Sequence, residues 1–475
     1  MRDSWYRGTA SDYCSSPHDD DLRRSGMPRS GQERPQFASP LTSIEICAGA
    51  GGQAVGLHNA GFDHRALVEW DPHAVATLRA NVGSWPGWDD EKASGIRPMD
   101  VKDFLDSEEF KSLDLKPGEL DLLAGGVPCP PFSLAGHRLG PDDERDLFPA
   151  ALDIIDVLRP KAVMIENVRG ILEPPEVFIK YRTSILDTLR KYGYLVPTID
   201  SDLSANAQDV VMRKVWRRLD ARYFGVPQLR PRAILVAIHR DAVSPGGPEF
   251  QWPISLKGNE VTVLEKLEDS MLARCKEFWD KNRYGEPAGP GEATGETVFN
   301  KWKEQISKAS AAGKTVAPTL VGGSRKHGGA DLGPTRAKRA WGELGVDGMG
   351  IANDPESCDP ERDLFRPAGP MLTVTQAAII QGFPEDWNFQ GRKTARYRQV
   401  GNAFPPPVAE AVGRAIAAVL RPEHRETLTE TYKMEPAGVV PLDDIPQQLE
   451  ISVPTDQAMS APLQHRQGDF VSTGV

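Results

Sequence analysis

The chain is expected to fold as a doubly wound α/β sheet carrying a smaller inserted unit. Three observations lead there. Short apolar runs, "TSIEICAG", "HRALVEW", "ELDLLAGG", "KAVMIENV" and "RAILVAI", each read as a strand ending near Gly, Asp, Glu or Asn. Between them lie segments of helical period such as "DPHAVATLRANV" and "FPAALDIIDVL". From about residue 251 to 363 that rhythm stops, leaving Gly-rich loops and scattered charges. It returns in "VAEAVGRAIAAVL", where Val408, Val412, Ile416, Val419 and Leu420 share one helix face expected to pack on the sheet.

The 475 residues suffice for one large domain and a smaller one. Residues 1–40, rich in Ser, Pro, Arg and Asp, are expected to form a disordered arm. Residues 41–248 with 392–420 form the expected sheet domain, residues 249–391 the inserted one, and residues 421–475 an acidic, disordered tail. No stretch approaches a membrane span, so a soluble, cytoplasmic protein without membrane partners is expected. The five cysteines, Cys14, Cys47, Cys129, Cys275 and Cys358, are widely spaced. They suit neither a zinc site nor a disulfide framework, and no metal is expected.

The net charge of −11 argues at first against a nucleic-acid partner, but its distribution reverses that argument. Residues 299–341 hold nine Lys/Arg against two Asp/Glu, and residues 206–240 hold eight against two. Two basic segments in an acidic chain suit a groove for phosphates, with solvated basic faces as the plain alternative.

The first strand runs into Ala48, Gly49, Gly51 and Gly52, a turn where the backbone can approach a ligand. Taken alone, this turn fits a ligand-free βα connection equally well. Glu69, ending the second strand, is placed to accept hydrogen bonds from ribose hydroxyls. Trp70 offers a flat face to a purine, and Asp100 falls near the end of an expected third strand. GxGG followed by Gln53 departs from the pyrophosphate-binding GxGxxG. These residues favour a nucleoside cofactor without pyrophosphate, S-adenosyl-L-methionine over NAD.

Cys129 follows the strand "ELDLLAGG", in a loop stiffened by Pro128, Pro130 and Pro131. A buried cysteine acting as a small hydrophobe needs no such cage, so Cys129 is the candidate nucleophile. Glu166 ends an apolar strand, where burial favours its protonated form; capping a helix or pairing with an arginine are its alternatives. Gln228, Arg230 and Arg232 alternate on an extended segment and are expected to point into one cleft.

In order, "EICAGAGG", "VEWDP", "GGVPCPPFSLAG", "ENVRGIL", "FGVPQLRPR", "LTVTQAAIIQGFPEDW" and "YRQVGNAFPPPVAEAVG" resemble the motif series of the prokaryotic DNA (cytosine-5) methyltransferases. The resemblance covers roughly residues 43–240 and 370–420. It implies a Rossmann-like S-adenosylmethionine-dependent methyltransferase sheet, with the insertion as target-recognition domain. It makes Pro128-Cys129 the nucleophile motif, Glu166-Asn167-Val168 the carboxyl motif, and Gln228, Arg230 and Arg232 the alternating motif. Arg232 would approach the cytosine carbonyl, and Gly401-Asn402 would close the cofactor site. Two departures stand out: Cys47 where the family often has Phe, and Pro130 where it has Gln after the cysteine.

The implied reaction adds Cys129 to C6 of a flipped-out cytosine in double-stranded DNA, methylates C5 and then releases the cysteine. Arg325, Lys326, His327, Arg336, Lys338 and Arg339, among flexible glycines, are the candidate DNA contacts. A monomer associated with the nucleoid is expected, with a cognate restriction endonuclease acting separately as a partner the resemblance admits. A tRNA cytosine-5 methyltransferase and a non-catalytic DNA-binding homologue are the rivals. The long insertion weighs against the first, and the intact Cys129, Glu166 and Arg232 set against the second.

Overall fold

Near-continuous apolar runs build the sheet that carries the site. The computed structural model describes residues 33–128, 146–243, 246–258, 260–322 and 330–436. Its main sheet contains β1 (Leu41–Ile46), β2 (Phe62–Val68), β3 (Leu122–Gly126), β4 (Ala162–Val168), β5 (Trp216–Asp220) and β6 (Pro231–Ile238), in the order β2-β1-β3-β4-β6-β5. The first four strands run parallel, and β6 lies antiparallel between β4 and β5. Successive side chains of β4 part to opposite faces: Val163 and Ile165 join one core, Ala162 and Met164 another. Both faces are therefore buried, as a sheet of near-continuous apolar strands requires.

Helices supply the two covers. α1 (Gly52–Asn59) and α2 (Pro72–Asn81) follow β1 and β2, while α3 (Phe148–Leu158) and α4 (Pro175–Lys191) flank β4 in sequence. Asp71 starts α2 by accepting hydrogen bonds from the His73 and Ala74 amides at 2.8 and 3.1 Å, with Pro72 preset for the first turn. Ile154, Ile155 and Leu158 of α3 and Ile185, Leu186 and Leu189 of α4 pack on the Val163–Ile165 face. Each such fully buried aliphatic side chain contributes about 1.5–3 kcal/mol.

A separate helical core gathers α5 (Val263–Lys276), α6 (Gly295–Ala311), α7 (Thr335–Glu343), α8 (Val374–Gln381) and α9 (Lys393–Asn402). Leu267, Met271, Phe299, Trp302, Ile306, Trp341, Ile380 and Tyr397 belong to it. Thr262 and Glu265 cap α5 reciprocally, at 3.1 and 2.7 Å. α10 (Pro406–Leu420) returns to the sheet as its periodicity predicts, with Val408, Val412 and Ile416 in the core that holds Ala162 and Met164, while Ala409 and Gly413 lie against α1.

Several expectations need correction. No third strand precedes Asp100: Pro98 makes only an isolated bridge to Glu69, and Asp100 caps a 3-10 turn by accepting from the Lys102 amide at 3.0 Å. Proline has no N–H to continue a ladder there. The expected arm and tail are anchored where they meet the core. Arg34 Nε donates to the His58 carbonyl at 2.9 Å, and Arg421 donates to the Ser39 carbonyl at 2.9 Å. β7 (Pro253–Leu256) pairs with β8 (Tyr432–Met434), so residues up to 436 cannot be a free tail. Trp252 packs in the core of the sheet and Tyr397 in the helical one, so the two cores do not part at residues 249 and 391. Residues 1–32 and 437–475 lie outside the described residues. Among the described residues no helix is long and apolar enough to cross a membrane.

Candidate active site

Strand order fixes where a ligand can sit. β1 is flanked by β2 on one side and β3 on the other, so the connections leaving β1 and β3 diverge and open a crevice at the carboxyl edge. The turn after β1 lines that crevice. Gly49 and Gly51 hold positive φ of 56° and 87°, which glycine adopts without steric cost. A Cβ on Gly49 would meet nothing within 4 Å, so that side of the backbone is open. Gly52 is closed instead: a Cβ there would lie 2.3 Å from the Phe404 carbonyl oxygen.

Glu69 locks this turn to the end of β2. One carboxyl oxygen accepts from the Gly49 amide at 2.7 Å and the other from the Asp71 amide at 2.8 Å. Burial raises its pKa, while these backbone hydrogen bonds work in the opposite direction. Trp70 is 66% exposed, leaving its ring face open to stack on a base. Ala48 is buried and donates its amide to the Val68 carbonyl at 3.0 Å. Asp100 and Glu69 both act on the Cys47 thiol, which burial first, and these carboxylates second, push upward. No local sequence pattern assigns Trp387 a role. Its Nε1 donates to the Ala50 carbonyl at 3.0 Å, and its ring covers Gly51, leaving 2.8 Å for any Cβ there.

The neighbouring part of this edge is built by β3, β4 and β6. Ala162, Met164 and Glu166 alternate on one face of β4, and Arg232, Ile234 and Val236 on the same face of β6. Glu166 stands opposite Ile234, so Arg232 is its diagonal neighbour. Arg232 Nε meets Glu166 Oε1 at 2.8 Å, with both side chains nearly buried. Burial raises the Glu166 pKa against the opposing pull of Arg232 and Arg230. The other oxygen faces Gly126, where a Cβ would lie in ordinary contact at 3.4 Å from Glu166 Oε2.

Beside that carboxyl the chain turns into the proline loop. Asn167 Nδ2 donates to the Val127 carbonyl at 2.7 Å, fixing the residue before exposed Pro128. The Pro128 carbonyl accepts from the Leu147 amide at 3.2 Å, closing the base of the loop. Cys129 lies outside the described residues, as do Arg325, Lys326 and His327. Gly126, beside Glu166, is three positions before the cysteine in sequence.

Gln228 and Arg230 require correction. Neither opens into the cleft: both are fully buried. Arg230 donates to the carbonyls of Leu320, Gly401 and Ala403 at 2.6, 2.7 and 2.8 Å. Gln228 accepts from the Leu320 amide at 2.8 Å and donates to Gln381 Oε1 at 2.8 Å. The alternating motif thus splits, with Arg232 facing the carboxyl and its two predecessors holding backbone. Asn402 is exposed, and a Cβ on Gly322 would fall 2.2 Å from its Oδ1.

Of the candidate DNA contacts, Arg336 and Arg339 are exposed on α7. Lys338 is paired with Asp331 at 2.8 Å, which offsets its charge. Asp331 precedes it by seven residues, a pairing that charge counting overlooks.

Comparison with known proteins agrees with this architecture. Residues 41–418 match the family model described as C-5 cytosine-specific DNA methylase. The chain is 46% identical over 384 residues to the type II methyltransferase M.NaeI of Lentzea aerocolonigenes, covering 81% of this chain and 76% of that relative. It is 39% identical over 388 residues to the type II methyltransferase M.NgoMIV of Neisseria gonorrhoeae, covering 81% and 99% respectively. The type II methyltransferase M.Eco47II of Escherichia coli is 30% identical over 388 residues, covering 80% and 79%. With the glycine turn, the Glu166–Arg232 pair and a match across nearly the whole described fold, the chain belongs to the C-5 cytosine-specific DNA methylases.

Proposed function

We propose that this methylase transfers a methyl group from S-adenosylmethionine to C5 of one cytosine swung out of duplex DNA, through a transient bond from Cys129 to C6. The observation that carries this reading is the Glu166–Arg232 pair, 2.8 Å apart, set beside Gly126 just before the proline loop.

The crevice fits a nucleoside carrying no pyrophosphate. Gly49 gives open approach, Glu69 holds the turn and Trp70 leaves a ring face for the adenine. When bound, S-adenosylmethionine supplies a methyl group already activated for transfer to a carbon nucleophile.

The protein's task is to create that nucleophile. The Cys129 thiolate forms a bond to C6, and the ring electrons move toward C5 and N3. Glu166, favoured in its protonated form by burial, donates a hydrogen bond or proton at N3 and steadies the exocyclic amine. Arg232 holds O2 and orients Glu166. After C5 accepts the methyl, the sulfur–methyl bond is broken and S-adenosylhomocysteine is left as the thioether. A base then removes the C5 proton, N3 gives its proton back to Glu166, the C5–C6 double bond reforms and Cys129 leaves as thiolate. Extruding the base costs about a few kcal/mol, which phosphate contacts from the basic segments offset. The type II names of the relatives support a role beside a cognate restriction endonuclease acting separately.

Incubation with methyl-tritiated S-adenosylmethionine and plasmid DNA tests the reading. Tritium is expected at C5 of cytosine within one repeated sequence. Transfer to tRNA alone, or to no nucleic acid, would contradict it.

A further inference from the structure

Arg230 is buried deeply enough that its charge needs an explanation. It is fully enclosed and feels the Glu166 carboxyl, yet among the described residues no carboxylate lies in direct ion-pair contact with it. Three backbone carbonyls take its place, and they come from two distant segments. Leu320 lies 90 residues downstream of Arg230, and Gly401 lies 171 residues downstream. An arginine is always charged, so burying it among carbonyls is costly unless they are held in fixed positions.

Each segment leads somewhere functional. Leu320 stands at the base of the glycine-rich basic segment, residues 321–329. Gln228 fixes the same residue through its amide at 2.8 Å, and the Leu229 amide and Ala317 carbonyl join at 2.8 Å. Gly401 through Phe404 reach the other way. Gly52, the first residue of α1 in the cofactor turn, leaves only 2.3 Å between its would-be Cβ and the Phe404 carbonyl oxygen. Gln381 reinforces that side, donating to the Ala403 carbonyl at 2.5 Å while accepting from Gln228. The two segments also touch directly, since a Cβ on Gly401 would sit 2.6 Å from the Gly322 amide nitrogen. Two residues beyond Arg230, Arg232 pairs with Glu166.

We infer that Arg230 is a positioning residue that couples DNA binding to cofactor binding. This rests on the methyltransferase reading above. Movement of the Leu320 segment on a duplex is transmitted by one rigid guanidinium to Gly401–Phe404, and from there to the turn at Gly52. The planar fork of arginine suits this role because its two terminal nitrogens serve the two segments separately. Lysine keeps the charge but has one nitrogen and no fork. Coupling of this kind is reciprocal: a duplex that tightens cofactor binding is itself bound more tightly in the presence of cofactor.

The test is calorimetric titration of S-adenosylhomocysteine into the full chain, alone and with a short duplex carrying the site that the wild-type protein methylates. The ratio of the two dissociation constants should lie in the range of about 5–150-fold for wild type. It should fall below about 2-fold in Arg230→Lys and in Gln228→Met, whatever happens to either affinity alone. A role confined to stability would lower both affinities and leave their ratio intact. Gln228→Met decides the matter if Arg230→Lys fails to fold. A wild-type ratio of one, or an unchanged ratio in a folded variant, would overturn the inference. Failure of the protein to methylate any DNA would instead overturn the reading it rests on.

Discussion

At the scale of single residues, buried carboxyls give this site its chemical character. Glu166 owes its raised pKa to burial, and Arg232 keeps it oriented. Glu45 on β1 is a second case outside the proposed chemistry. It is fully buried, and burial first, then the nearby Glu69, push its pKa well above the ordinary carboxyl value. An unfolded glutamate ionises near pH ~4.3. The folded state therefore holds its proton more tightly, and stability falls as pH rises from that value through the raised folded pKa. Glu45→Gln mimics the neutral acid and removes this slope. Its denaturation midpoint should gain on wild type between pH 5 and pH 8; parallel curves would show that Glu45 is not buried in this way. The same scale shows what sequence alternation conceals. Gln228, Arg230 and Arg232 sit two apart, but their partners lie in distant segments that local spacing does not reveal.

At the scale of elements, the ends of β2, β3 and β4 were readable because each apolar run stops at the residue that faces the crevice. Glu69, Gly126 and Glu166 all stand where those runs end. The expected strand before Asp100 failed because Pro98 interrupts the ladder that its apolar neighbours suggest. Trp387 was invisible for another reason. It joins the cofactor turn across 337 residues, so nothing near it in sequence announces the contact. The Trp387→Ala change removes the cover over Gly51 and the hydrogen bond to Ala50. We expect the KM for S-adenosylmethionine to rise about tenfold, equivalent to about 1.4 kcal/mol, with a smaller change in kcat. Trp387→Phe should fall between, and steady-state kinetics at saturating DNA would measure both. Equal KM values in all three proteins would remove Trp387 from the cofactor site.

At the scale of the whole molecule, net charge alone would misdirect a reader. The chain carries −11, yet α7, which follows the glycine-rich segment in sequence, presents Arg336 and Arg339 to solvent. Each arginine contacting a phosphate contributes close to one unit to the slope of log affinity against log salt. Replacing both by alanine should reduce that slope by about two, whereas Lys338→Ala, already paired with Asp331, should leave it unchanged. Filter binding across a salt series reads the slopes directly, and an unchanged slope in the double variant would move the DNA away from α7. Composition missed the margins of the core: Phe37 and Tyr432, within the expected arm and tail, pack on the core of the sheet through contacts to residues remote in sequence.

The central claim is a temporary covalent bond between Cys129 and the ring of an extruded cytosine. A duplex carrying 5-fluorocytosine at the methylated position tests it, because fluorine at C5 cannot leave as the proton does and traps the adduct. With S-adenosylmethionine present, wild-type protein should remain attached to this duplex through boiling in detergent, and Cys129→Ser should not. Attachment that survives in Cys129→Ser, or none in a wild-type protein that still methylates ordinary DNA, would contradict the account.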